Sequence, residues 1–337
     1  MDSGEAARLA AIAHGTDLTN VPQSVDTTPE GITSEVHAYN SKCADERTKF
    51  IFKRLVDHLH DFVRETSLTT EEWMTAIKFL TAVGHKSSDL RSEMILLSDV
   101  LGVSSLVNII NNPKPPGATE GTVLGPFFTD DAHEVPYGES IASEGKGHYM
   151  FVEGKILNTQ GQPIAGAIID TWESDGDGIY DNQYENRTGP DCRGRLISEA
   201  DGKFAYRAVV PVPYGIPADG PVSEMLKMLG RHIYRPGHLH VRIEAPGYET
   251  LITALYFEGD PYVTNDAVFG VRKSLIVKSE LVIDDPELTK ARGFADASKA
   301  HVYLKQDFVL PTPEEAEEAK RAMEIRVQKI VEEKGRV

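Results

Sequence analysis

The segment RPGHLHVRIEAPGYETLITALYFE spans residues 235–258. Its first half alternates: Leu239, Val241 and Ile243 are apolar, and His238, His240 and Arg242 around them are polar. Successive side chains on a strand point to opposite faces, so this period of two predicts a strand with one face turned to a core. APGY (245–248) interrupts the pattern with turn residues, and ETLITALYFE (249–258) resumes as a second strand.

The reading extends outward. YMFVEGKILN (149–158), AGAIIDTWES (165–174), GKFAYRAVVP (202–211), SLIVKSELVI (274–283) and AHVYLKQDFVL (300–310) bring the strand candidates to seven. Such a run with turns between predicts an antiparallel sandwich. Two long segments, 175–200 and 212–237, read as loops, and long loops in a compact domain usually carry function. Upstream, residues 1–35 show no sustained period and read as an irregular arm. Helices follow, with apolar rows at Phe52, Leu55, Val56, Leu59, Phe62 and Val63, at Trp73, Ile77, Leu80 and Val83, and at Leu90, Met94, Leu97 and Leu101. Thr69-Thr70-Glu71-Glu72 is a capping-type start, and NNPKPPG (111–117) a linker. Thr312-Pro313-Glu314-Glu315 starts a last helix whose stripe, Ala316, Ala319, Met323, Val327 and Ile330, suits packing on another helix. The fold class expected is mainly β: a sandwich at 118–311, an arm and helical domain at 1–117, and a C-terminal helix at 312–337.

Composition narrows the function. The 337 residues carry 35 Lys and Arg against 52 Asp and Glu, a net charge of −17. That balance argues against a nucleic-acid binder, which needs a basic surface to neutralise phosphates. No run of about 18 apolar residues predicts a membrane span. Cys43 and Cys192 are far apart with no C-x-x-C, so neither a disulfide framework nor a Cys-based zinc site is expected, and the setting reads as reduced and cytoplasmic. The opening MDSGEAARLAAIAHG has acidic residues where a signal peptide would be basic.

Two His-x-His pairs stand out. His58 and His60 lie in a helical segment, where residues two apart face different directions. His238 and His240 lie on a strand, share a face, and sit about 7 Å apart at Cα. That spacing suits either a shared metal ion or a solvated pair on an edge strand. Each long segment carries a tyrosine beside glycine, Tyr180 and Tyr214. Asp175-Gly-Asp177-Gly looks like a fragment of a calcium loop but lacks the remaining ligand positions. Nucleotide-binding and serine-hydrolase motifs are missing.

EGTVLGPF (120–127), GIY (178–180), PYGIP (213–217) and GRHIYRPGHLH (230–240) together resemble the intradiol ring-cleavage dioxygenases. The helical segment before them resembles the N-terminal domain of the catechol and hydroxyquinol branch, so the resemblance covers about 40–310. It implies that Tyr180, Tyr214, His238 and His240 hold one non-haem Fe(III), a ferric preference that two hard phenolate donors would favour. It implies catalytic roles for Arg235, facing the substrate's developing anion, and for Tyr214, taking a substrate proton. The reaction implied is opening of a dihydroxylated ring by O2 between its hydroxyl-bearing carbons. Hydroxyquinol (benzene-1,2,4-triol) would give 3-hydroxy-cis,cis-muconate or its tautomer maleylacetate; catechol, the alternative, would give cis,cis-muconate. Leu96, Asp99, Val123, Gly125, Pro126, Phe127, Ile216, Pro217 and Val268 would line the pocket, with Asp99 accepting from the third hydroxyl. Many relatives carry Gln near the position of Ala254, which cannot hydrogen-bond. The resemblance further implies a homodimer through the helical region, with a phospholipid held between the helices. Two competing readings are a transthyretin-like binding module on the same sandwich and a zinc hydrolase. The first leaves the tyrosines, Arg235 and the histidine pair unexplained, and zinc sites rarely use tyrosine pairs.

Overall fold

The structure is a computed structural model that describes residues 2–15, 26–88 and 91–334. It divides into two compact units, Met1–Thr81 and Ala82–Val337. The first unit holds α1 (Ser3–Ala13), α2 (Ile32–Asn40), α3 (Glu46–Thr66) and most of α4 (Thr70–Lys86). The expected irregular arm is therefore partly helical. SGEAARLAAIA is rich in strong helix formers, and Asp2 caps it by accepting the Glu5 N–H at 2.8 Å. Helix α4 starts as its sequence predicts: the Thr69 hydroxyl accepts the Glu72 N–H at 3.2 Å while the Glu72 carboxylate accepts the Thr69 N–H at 2.9 Å. Among the described residues no single helix is long and apolar enough to cross a membrane.

The second unit begins with α5 (Glu93–Val100) and α6 (Val103–Asn111), separated at Gly102, whose φ is 74°. The expected third helix, Leu90 to Leu101, is α5, while α6 is unexpected; Leu90, at the expected start, lies outside the described residues. The strands are β1 (Tyr149–Asn158), β2 (Ile168–Glu173), β3 (Arg193–Ile197), β4 (Lys203–Val209), β5 (Tyr214–Gly215), β6 (Tyr234–Arg235), β7 (His238–Glu244), β8 (Leu251–Phe257), β9 (Ile276–Val277), β10 (Glu280–Val282), β11 (His301–Lys305) and β12 (Phe308–Leu310). Helix α7 (Pro221–Met228) lies between β5 and β6, α8 (Pro286–Ala291) between β10 and β11, and α9 (Pro313–Lys334) at the end.

The expected sandwich is present. One sheet runs β10-β11-β1-β12 with β4 also on β1, and the other runs β3-β2-β7-β8-β9. Met150, Val152, Ile156, Phe204 and Tyr206 from the first meet Ile169, Leu239, Val241, Ile243 and Leu255 from the second in one buried core. Pairing is mixed rather than purely antiparallel: β11 and β12 run parallel to β1, and β9 runs parallel to β8. Two single-strand readings split for the same reason. SLIVKSELVI feeds β9 to one sheet and β10 to the other, and AHVYLKQDFVL breaks at Gln306-Asp307, so that β11 and β12 pair successive stretches of β1. The two long loops are not structureless: they contain β3, β5, β6 and α7. The inner stripe of α9, from Ala316 to Val327, is half-buried, and α9 packs on α6 of the same chain.

Candidate active site

On β7 the core-facing residues are Leu239, Val241 and Ile243, so His238 and His240 share the other face. That face is not open to water, and both imidazoles are buried. Trp172, the cross-strand partner of His240, lies flat on its ring. The chain at Gly125 covers the other approach. Gly125 has φ 76°, and a β-carbon there would lie 3.4 Å from the His240 ring, so both backbone and space favour glycine.

His238 Nδ1–H donates to the Pro236 carbonyl at 2.8 Å, which leaves Nε2 of the neutral ring as a lone pair. That Nε2 is 3.1 Å from His240 Nε2 and 3.4 Å from the Tyr180 hydroxyl. Burial, aided by the Arg235 charge, pushes His238 down to about 3. Burial, His238 and Arg235 push His240 well below its ordinary value. Both rings are therefore neutral donors at physiological pH.

The Tyr180 segment is shaped by Asp175. One carboxylate oxygen accepts the N–H groups of Asp177 and Ile179 at 3.0 and 3.1 Å; the other accepts the Tyr184 hydroxyl at 2.5 Å and faces Lys146 at 3.5 Å. This carboxylate organises a turn, which disposes of the calcium-loop likeness. Tyr180 is wholly buried and stacks on Phe127 with centroids 4.3 Å apart. Arg193 on β3 locks the pair, donating to Asp181 at 2.9 Å and to the Phe127 carbonyl at 3.0 Å. Burial, then Tyr214, holds the Tyr180 phenol well above its ordinary pKa.

Tyr214 and Arg235 meet through a ribbon of two residues a side, in which they are direct partners. Arg235 Nη1 donates to the Tyr214 hydroxyl at 3.3 Å and approaches His238 Nε2 at 3.4 Å. Burial alone would weaken the Arg235 charge, but Tyr214 and Asp266 outweigh it and keep the guanidinium protonated. Tyr180, Tyr214, Arg235, His238 and His240 thus come from segments up to 60 residues apart and converge.

In front of them lies a cavity of about 740 Å³. All nine residues expected at the pocket line it: Leu96 and Asp99 on α5; Val123, Gly125, Pro126 and Phe127; Ile216 and Pro217 after β5; and Val268. Tyr214 and Arg235 form part of the same wall. Burial raises the Asp99 carboxyl above the ordinary range, partly offset by the Ser104 hydroxyl and the Arg235 charge. The other pair, His58 and His60, sits on α3. There His60 contacts the Thr33 hydroxyl at 2.9 Å, and His58 contacts Arg54 at 3.3 Å.

Among the described residues no cluster of three His, Cys, Asp or Glu side chains is set to hold a metal ion, so any ion here would rely on tyrosine. Two facing imidazole nitrogens and two phenol oxygens are a donor set that suits one hard, high-valent cation. A cation would also reverse the burial penalty that keeps Tyr180 protonated. Ala254 stands opposite His240 across β7 and β8, fully buried and with no polar atom to offer. Sequence reading missed Asp266, the carboxylate partner of Arg235, and the stacking role of Trp172. The only signal for Asp266 is its place two residues before the pocket residue Val268.

A β-sandwich with this cluster at the foot of an apolar cavity is that of a ring-opening dioxygenase, and the comparisons agree. The catechol dioxygenase N-terminal family matches residues 45–119, and the dioxygenase family matches 123–297. The chain is 50% identical over 298 residues to an intradiol ring-cleavage dioxygenase of Aspergillus niger, covering 88% of this chain and 89% of that one. It is 49% identical over 245 residues to a 6-chlorohydroxyquinol 1,2-dioxygenase of Cupriavidus pinatubonensis, covering 73% of this chain and 89% of that one. The crystal structure of hydroxyquinol 1,2-dioxygenase from Pseudomonas putida superposes with TM-score 0.79 at 43% identity, over 84% of this chain and 98% of that one. The chain belongs to the intradiol ring-cleavage dioxygenases and is an enzyme. The non-enzymatic binding-module reading and the zinc-hydrolase reading are both overturned by this membership.

Proposed function

We propose that this enzyme opens hydroxyquinol between its adjacent hydroxyl-bearing carbons. One O2 is consumed, both oxygen atoms enter the product, and 3-hydroxy-cis,cis-muconate or maleylacetate is released. The observation that carries the choice of substrate is Asp99, the one carboxylate among the described residues on the wall of an otherwise mainly apolar cavity. Two of the relatives described above act on hydroxyquinols by name, which supports the same reading.

Tyr180, Tyr214, His238 and His240 are the residues we assign to one non-haem Fe(III). When bound, Fe(III) supplies a Lewis acid and redox partner that lets the ring react with O2 without NAD(P)H or flavin. The chain's own groups do the rest. Phe127, Ile216 and Val268 hold the ring and exclude water. Tyr214, which would stand as the phenolate with the ion bound, accepts a proton from a substrate hydroxyl and becomes the phenol, and Arg235, beside it, stabilises the substrate anion so formed. His238 and His240 stay neutral throughout. Oxygen uptake on hydroxyquinol, catechol, protocatechuate and chlorocatechols tests the reading. Fastest turnover of the triol by a reddish protein is expected; a colourless protein that consumes no O2 with any of them refutes it.

The second reading is a catechol 1,2-dioxygenase, and the apolar lining favours it to the extent that Asp99 finds no substrate hydroxyl. We also propose a homodimer through the helical region. Phe52, Leu55, Leu59, Phe62 and Val63 on α3 form an exposed apolar row, a surface that a second copy or a phospholipid would cover. We propose 1–117 as the arm and helical dimerisation domain, 118–311 as the sandwich domain and 312–337 as the C-terminal helix, with α5 of the first part lending Leu96 and Asp99 to the cavity, and a cytoplasmic location as the setting suited to two free cysteines.

A further inference from the structure

The Arg235 guanidinium is held on two sides, and only one of them belongs to the site described above. On one edge, Nη1 meets Tyr214 and His238. On the other, Nε and Nη2 donate to the two carboxylate oxygens of Asp266 at 3.1 and 3.3 Å. Asp266 is itself fixed: it accepts the N–H of Val268 at 3.3 Å and that of Gly270 at 2.8 Å, so the 266–270 turn wraps the carboxylate. Two-point pairing sets the plane of a guanidinium as well as its place.

A third group completes this side. Tyr256 on β8 stands opposite His238 in the β7–β8 register, with its ring 5.5 Å from the imidazole. It is fully buried, and its hydroxyl lies near Thr122 without a hydrogen bond of good geometry. A buried hydroxyl left unpaired is costly, so its surroundings call for a reason. Gly270 supplies one. A β-carbon on Gly270 would lie 2.8 Å from Arg235 Nη2, 3.0 Å from Asp266 Oδ2 and 3.0 Å from the Tyr256 hydroxyl oxygen. The three polar groups converge on a hollow that any side chain at 270 would invade.

We propose that Tyr256 and Asp266 are positioning residues for Arg235, closing on its guanidinium in the Gly270 hollow so that its free edge stays aimed at Tyr214. Asp266 sets the plane and neutralises the buried charge. Tyr256 offers the oxygen that faces the remaining Nη2 hydrogen when the guanidinium shifts toward an anionic substrate. Neither residue touches the ring; both act through Arg235. The kinetic consequence rests on the ring-opening reading given above.

The decisive variant is Tyr256→Phe in the iron-loaded full chain, since it keeps the ring and removes only the oxygen. We expect kcat on hydroxyquinol to fall roughly 5- to 20-fold with KM within about twofold and iron content unchanged, the signature of a contact made mainly in the transition state. Gly270→Ala, which crowds all three groups and also narrows the cavity that Gly270 lines, should lower kcat too and raise KM with it. In an Arg235→Lys background Tyr256→Phe should add nothing, because its route of action has gone. Binding of 4-nitrocatechol, followed by its own absorption, gives a second readout: the bound diol should be less ionised in Tyr256→Phe than in wild type at the same pH. Wild-type kcat together with a wild-type nitrocatechol spectrum in Tyr256→Phe overturns the proposal, as does an equal loss in the Arg235→Lys background. A wild type that binds nitrocatechol but opens no ring defeats the reaction reading alone, and the spectrum still decides the role of Tyr256.

Discussion

The indole of Trp172 lies on the imidazole of His240 with ring centroids 4.7 Å apart and planes 6° from parallel, and the two residues are direct partners across β2 and β7. The flat contact leaves His240 one plane in which to present its nitrogen. Phe128 closes on the other part of the indole edge-on at 5.0 Å. Trp172→Leu removes the wall and opens a buried space, a loss on the order of 3 kcal/mol. Iron content per chain should drop and thermal stability with it. Full iron content at an unchanged melting temperature would show that the stack does not orient His240.

Each proposed ligand should matter singly. Tyr180→Phe, Tyr214→Phe, His238→Ala and His240→Ala should each lower iron content or turnover by at least about tenfold, since loss of one donor of four has no evident replacement. His58→Ala and His60→Ala on α3 should leave both near wild type. Metal analysis beside O2 uptake checks the set, and an essential helical pair with a dispensable strand pair would mean that the centre lies elsewhere.

Asp99 should set the preference between triol and diol. Asp99 is half-buried beside the Ser104 hydroxyl; a bound ring without a third hydroxyl would cover its outer oxygen and leave it unpaired at about 1–3 kcal/mol, favouring hydroxyquinol over catechol by roughly 5- to 150-fold. Asp99→Ala should collapse that ratio of kcat/KM while keeping ring opening. An unchanged ratio removes Asp99 from substrate recognition.

The iron-free protein should lose stability in acid. Neutral burial depresses His238 from 6.5 to about 3, and His240 moves in the same direction. Between those values the unfolded chain binds more protons than the folded one. The stability these rings contribute is therefore whole above pH 6.5 and is lost as pH falls toward 3. Melting temperatures across this window should decline less steeply for His238→Gln than for the parent protein; equal slopes would show that the ring is already protonated in the fold.

Light scattering at micromolar concentration should give the mass of two chains. Replacing Phe52, Leu55 and Leu59 by Glu should give one, because the exposed row on α3 would then repel its own copy. A monomeric parent protein contradicts the dimer.

Much of this protein is determined by sequence through local rules. Period two in HLHVRIE places His238 and His240 on one face whatever surrounds them, because alternation is a property of the extended backbone. Strand β1 runs from Tyr149 to Asn158, just as its pattern reads, and Thr69 and Thr312 begin their helices with the expected reciprocal caps. Those features need only neighbours a few residues away. The rest was decided by tertiary structure, because it depends on partners distant along the chain. Asp266 reaches Arg235 across 31 residues, and Trp172 reaches His240 across strand pairing that no local pattern encodes. Tyr214 meets Arg235 only because α7 folds out between two strands of two residues each. Parallel pairing of β11 and β12 on β1 likewise follows from where the chain returns to the sheet, which the alternation of AHVYLKQDFVL cannot specify. Side-chain type and period identify the donors; the two sheets and the turns at Asp175 and Asp266 bring them within hydrogen-bonding distance of one another.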